Sequence, residues 1–118
     1  MGILFDESAG YPDKIGYRCG IAGPFNPYNT ETSEQLKILE YPLVIMDGTL
    51  VDQYPDNPAA IVEKMLQHLS KIGGALPILF HPGTLKNPET PKTYKLYFDI
   101  LKIITNNEMK ATDCTLMS

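Results

Sequence analysis

The apolar positions of this chain fall into two patterns, short unbroken runs and longer stretches at helical spacing. Residues 76–80, Leu-Pro-Ile-Leu-Phe, form an unbroken run that stops at His81, where Pro82 and Gly83 interrupt it. Such a run, bounded by helical patterns, predicts a central parallel strand. Residues 41–47, Tyr-Pro-Leu-Val-Ile-Met-Asp, predict a second strand ending at Asp47-Gly48, and residues 3–5 a third near the start. Between the two longer runs, Ile61, Val62, Met65, Leu66, Leu69 and Ile72 recur at helical spacing and predict one amphipathic helix. Asn57 or Asp56 is its expected cap, Pro58 suits its first turn, and Gly73-Gly74 its left-handed stop. Strand, helix, strand over this distance reads as a parallel βαβ crossover. Thr90-Pro91 opens a second helix, with Tyr94, Tyr97, Phe98, Leu101 and Ile104 as its predicted apolar stripe and Asn106-Asn107 as its end.

The rest of the chain is less regular. Residues 9–16 carry Gly10, Pro12, Asp13 and Gly16 and read as loop. Residues 17–20 read as a brief extended piece. Residues 23–29 read as a long irregular loop, because two prolines and two asparagines oppose a helix. Residues 31–39 are polar with scattered leucines, a helical turn or a surface segment. A last short strand is read at residues 110–117. No internal repeat, low-complexity tract or inter-domain linker interrupts the chain, so a single domain is expected.

Composition narrows the class. A chain of 118 residues buries roughly two thirds of its unfolded surface, and 43% apolar residues argue against disorder. The net charge is −4 without a basic stripe, which disfavours nucleic acid as a partner. No apolar run approaches the ~20 residues needed to span a bilayer. The first residues carry acids where a signal peptide would carry Lys or Arg, so no export signal is read, and the compartment, cytoplasm or cell envelope, stays open. Cys19 and Cys114, far apart and outside any CxxC, read as two free, partly buried thiols.

The chemistry concentrates at two strand ends. If residues 41–47 and 76–81 share one sheet, Asp47 and His81 project from the same rim, where α/β folds bind their ligands. A carboxylate beside an imidazole orients it and favours its charged form, and a histidine so held can act as a general acid worth about 10²–10⁴ in rate. The plainer alternative is a turn-capping Asp47 and a hydrogen-bonded His81. Arg18 is the only arginine; it could hold a carboxylate through two parallel bonds, or form a surface ion pair. Phe25 and Tyr28 could line a cleft or pin their loop to the core. His68 reads as a surface residue. No HxxxH, HExxH or cysteine cluster suggests a self-contained metal site. No glycine-rich phosphate loop and no nucleophile elbow is present.

Three stretches, in this order, resemble the C-terminal half of a polysaccharide deacetylase domain, the chitooligosaccharide-deacetylase homology domain of carbohydrate esterases. Gly16-Tyr17-Arg18-Cys19-Gly20 leading to Gly23-Pro24-Phe25 resembles the family's arginine motif. Residues 43–50, Leu-Val-Ile-Met-Asp-Gly-Thr-Leu, resemble the motif supplying a supporting aspartate. Residues 78–83, Ile-Leu-Phe-His-Pro-Gly, resemble the last motif, which supplies the catalytic histidine. The resemblance runs from about Ile3 to Leu116. It implies an α/β fold that is a partial (β/α) barrel, the C-terminal half of a distorted seven-stranded one. It further implies that Arg18 orients a general-base aspartate, that Asp47 tunes His81, and that His81 protonates the departing sugar amine. A divalent metal, commonly zinc, is implied as the activator of water in metal-assisted hydrolysis of the N-acetyl group.

The chain departs from the family in one large respect. The family's base aspartate and its Asp-His-His metal triad belong to its N-terminal half, and no equivalent cluster occurs here. Cys19-Gly20 also stand where a proline is common. The implied protein is therefore a deacetylase fragment, inactive alone, acting on an acetylated oligo- or polysaccharide once completed. A half-barrel has a bare strand edge, so self-association or pairing with the missing half is expected. The alternative is a non-catalytic carbohydrate-binding or scaffold module derived from that fold. An unrelated small α/β domain is the remaining reading.

Overall fold

The computed structural model describes residues 2–87, 89 and 91–107. Six two-residue strands pair off into three small sheets. β1 (Phe5–Asp6) runs parallel to β4 (Leu39–Glu40), β2 (Tyr28–Asn29) pairs antiparallel with β3 (Glu34–Gln35), and β5 (Ile45–Met46) runs parallel to β6 (Ile78–Leu79). Four helices follow β4 in the chain: α1 (Asp47–Gln53), α2 (Pro58–Ile72), α3 (Pro82–Lys86) and α4 (Pro91–Asn106). The fold is mixed α/β. No closed barrel forms among the described residues, and among them no helix is long and apolar enough to cross a membrane.

The βαβ crossover predicted from periodicity is present, with one addition. The chain leaves β5 through α1, passes through α2 and returns as β6 beside β5, in the register Ile45 to Ile78 and Met46 to Leu79. Helix α1 was not expected. It starts with Asp47, an acid in the first turn where the helix dipole favours it, and ends before the Tyr54-Pro55 pair. Helix α2 matches its expected bounds. Asn57 accepts a hydrogen bond from the Ala60 N–H at 3.3 Å, Pro58 sits in the first turn, and Gly73 closes the helix with φ of 80°. Gly74 follows at φ 123°, where an added Cβ would lie 2.4 Å from the Ala22 carbonyl oxygen. That close approach lets Ala75 N–H bond the same oxygen at 2.6 Å, which holds the entry to β6.

Val44, Ile45, Leu50, Val62, Leu96 and Ile100 form the buried core, so β5, α1, α2 and α4 converge on one centre. Several expectations change here. Among the described residues, 76–80 do not become a central strand: there β6 pairs with β5 alone and Leu79 is 38% exposed, because Pro77 and Pro82 leave only a short stretch able to pair. The inward face of helix α4 matches the predicted stripe only in part. Ile104 packs against the core and Tyr97 against Phe80, and Thr93, Leu96 and Ile100 are buried beside them, whereas Tyr94, Phe98 and Leu101 of the predicted stripe stay exposed. The helix carries apolar residues on two faces, and spacing alone did not distinguish them. Residues 17–20 form a turn, closed by Gly20 N–H to the Tyr17 carbonyl at 3.0 Å with Gly20 at φ 67°. Residues 31–39 contribute β3 and the start of β4. Cys19 is free and exposed. The cap at Thr90, the strand read at residues 110–117 and Cys114 lie outside the described residues.

Candidate active site

The parallel pairing of β5 and β6 brings Asp47 and His81 together. Continuing the register past Met46 and Leu79 sets Asp47 beside Phe80, one residue short of His81. There β5 gives way to α1, and the Asp47 carboxylate takes up the next amide: His81 N–H donates to Oδ2 at 2.9 Å. The ring of the same histidine meets the other oxygen, with Nδ1 2.7 Å from Oδ1. His81 keeps an extended backbone, φ −83° and ψ 122°, because it precedes Pro82. Its carbonyl then accepts from Thr84 N–H and Leu85 N–H as α3 begins. On the other side, the Phe80 ring packs edge-on against Tyr97 of α4, with centroids 5.1 Å apart.

Burial differs sharply across the pair. Asp47 is 1% exposed, whereas the His81 side chain is 56% exposed. Two more donors reach the carboxylate, Gly48 N–H to Oδ1 at 2.7 Å and the Thr84 hydroxyl to Oδ2 at 3.1 Å. Burial alone would push the Asp47 carboxyl up. The hydrogen bonds from His81 N–H, the His81 ring, Gly48 N–H and Thr84 outweigh it and hold the group below the ordinary carboxylate range. Asp47 is therefore ionised at neutral pH and can only accept. It follows that Nδ1 carries the proton it shares with Asp47, and Nε2 is the nitrogen left for other partners.

Thr84 was not foreseen. Its only signal in the sequence is its spacing, three residues after His81, from which a threonine hydroxyl can also return to the His81 carbonyl, here at 2.9 Å. Gly48 and Thr84 also line a cavity of about 360 Å³ with Val51, Asp52, Glu89, Pro91, Lys92 and Thr93.

The other sequence-predicted residues lie apart from this contact. Arg18 Nη1 donates to the Gly10 carbonyl at 3.1 Å, and no hydrogen bond joins it to Asp47 or His81. Its loop is held at the entry to β5, where Gly16 N–H bonds the Val44 carbonyl at 3.0 Å; Asp47 stands at the exit. Phe25 is half-buried and bridges Glu40 of β4 through paired backbone bonds of 3.1 and 2.8 Å. Tyr28 lies on β2 and is 60% exposed, so it does not anchor the loop in the core. His68 is exposed on α2.

For the divalent metal that the resemblance implies, the described residues offer no fit: among them no three His, Cys, Asp or Glu side chains stand together as a ligand set. Asp47 is taken up by its four donors, and of the pair His81 Nε2 alone is left as a donor atom. No family model, curated protein or solved structure matches this chain.

Proposed function

We propose that this chain carries the proton-donating side of a deacetylase-type hydrolase that removes N-acetyl groups from an acetylated oligo- or polysaccharide. In this reading the β5-α1-α2-β6 unit belongs to a partial (β/α) barrel, the C-terminal half of a distorted seven-stranded one. His81 is the general acid and Asp47 its positioning partner. As the amide C–N bond breaks, its electron pair stays on the sugar nitrogen, which takes the proton from His81 Nε2. The ring returns to its neutral form with Nδ1–H still on Asp47. Arg18 would orient the general-base aspartate of the completed site, and Phe25 and Tyr28 would contact the sugar. The family's divalent metal finds no ligand set among the described residues, and the proton transfer does not pass through it.

The observation that carries this reading is the bond of 2.7 Å between His81 Nδ1 and an almost fully buried, ionised carboxylate. The motifs around Arg18, Asp47 and His81 supply the family and the substrate class. The test is to extend the reading frame upstream of Met1 to a segment with a Thr-Phe-Asp-Asp-like motif and an HxxxH spacing, then measure acetate release from acetylated chito-oligosaccharides. His81→Ala should lower release by about 10²–10⁴-fold. Unchanged release would remove the assigned role. Sugar binding by the present chain with no release from the extended one would favour the non-catalytic module.

A further inference from the structure

We infer that Thr84 is a positioning residue for His81: its hydroxyl pins Oδ2 of Asp47, so that Oδ1 of the same carboxylate stays turned to the imidazole. The inference rests on the proposed function only for its catalytic consequence. Its geometric content stands on the hydrogen bonds alone.

The two oxygens of Asp47 have separate partners. Oδ1 receives Gly48 N–H and the His81 ring, while Oδ2 receives His81 N–H and the Thr84 hydroxyl. The terminal torsion of an aspartate is broad and holds its plane weakly by itself. The plane is therefore set by its donors, and on Oδ2 the hydroxyl is the side-chain donor. Thr84 also touches the other member of the pair. Its oxygen lies 2.9 Å from the His81 carbonyl and 3.1 Å from Asp47 Oδ2. One hydroxyl hydrogen cannot serve both acceptors fully. An ionised carboxylate is the stronger acceptor, so the hydrogen goes to Asp47 while that group is charged and turns to the His81 carbonyl when it is protonated. Thr84 thus ties the charge on Asp47 to the backbone that presents the ring.

The experiment uses the full chain with labelled histidine, aspartate and threonine, observed by NMR. Ring nitrogen shifts at neutral pH report the His81 tautomer, with exposed His68 as the internal comparison. The Asp47 carboxyl carbon reports its own midpoint. Thr84→Ser keeps the hydroxyl and should retain the wild-type Nδ1–H signature and midpoint. Thr84→Val keeps the shape without the donor; it should mix the tautomers and raise the Asp47 midpoint. A folded Thr84→Val chain with the wild-type signature and midpoint would overturn the inference, as would a Thr84→Ser chain that loses them. Should the valine chain not fold, the unaltered protein decides: Thr84 Cβ and the His81 carbonyl carbon should titrate with Asp47, and flat curves would overturn the coupling. None of these readouts needs a substrate, so a failed deacetylation assay leaves them standing. In an active extended protein, Thr84→Val should lower kcat and leave KM in place.

Discussion

Nδ1 of His81 lies 2.7 Å from Oδ1 of Asp47 across a sequence separation of 34. The βαβ crossover closes that gap: parallel strands joined through α1 and α2 end on the same side, and both chains change direction there. One becomes a helix at Asp47, and the other is turned by Pro82. The carboxylate then does what the ladder no longer can, accepting the His81 amide and the His81 ring together.

Asp47→Asn tests this contact. The folded-state carboxyl is held below its ordinary value of 3.8, so its contribution to stability is full above that value and is lost as pH falls through the lower, folded one. The variant should be less stable by about 1–3 kcal/mol at pH 7. The gap should close in acid. Urea unfolding at a series of pH values measures both, and a gap constant with pH would contradict the assignment.

Glu40 should behave in the opposite sense. It is 4% exposed, and burial pushes its carboxyl above 4.5; the Ala9 N–H opposes this, and the charges of Asp6 and Glu7 add to it. A raised value penalises the folded state most above that value, and the penalty fades as pH falls toward 4.5. Glu40→Gln should therefore unfold at higher urea than wild type at pH 7, with the advantage shrinking in acid. Equal midpoints throughout would show that the buried charge is fully compensated.

The inward face of α4 can be tested with two substitutions. Leu96 is 1% exposed and Tyr94 is 53% exposed. Leu96→Ala should destabilise by about 2–5 kcal/mol, and Tyr94→Gln by under about 1 kcal/mol. Thermal or urea unfolding reads the difference, and a reversed order would mean that the helix is rotated.

Gly74→Ala should cost about 1–3 kcal/mol. The residue sits at φ 123°, and a Cβ would meet the Ala22 carbonyl at 2.4 Å. Because the neighbouring Ala75–Ala22 bond holds the entry to β6, the Asp47 and His81 resonances should shift as well. An unchanged spectrum would separate this turn from the site.

Local chemistry made parts of the molecule legible in the sequence. The bounds of α2 follow from Asn57, Pro58 and Gly73, which act on their own backbone and need no distant partner. The crossover and the rim shared by Asp47 and His81 also follow from periodicity, since parallel strands must finish on one side. The same local logic hides in α1 and in the short turn of α3, where the Asp47 and Pro82 starts are helical signals that strand endings masked.

The sequence by itself determined which residues carry polar chemistry at two strand ends, because a break in an apolar run is written in neighbouring residues. Tertiary packing alone decided which face of α4 turns inward, since apolar side chains occupy both faces and only the core chooses between them. It also decided that Thr84 joins the Asp47–His81 pair while Arg18 bonds Gly10 instead. Hydrogen bonds between distant segments depend on where the backbone is brought, and no spacing along one chain encodes that distance.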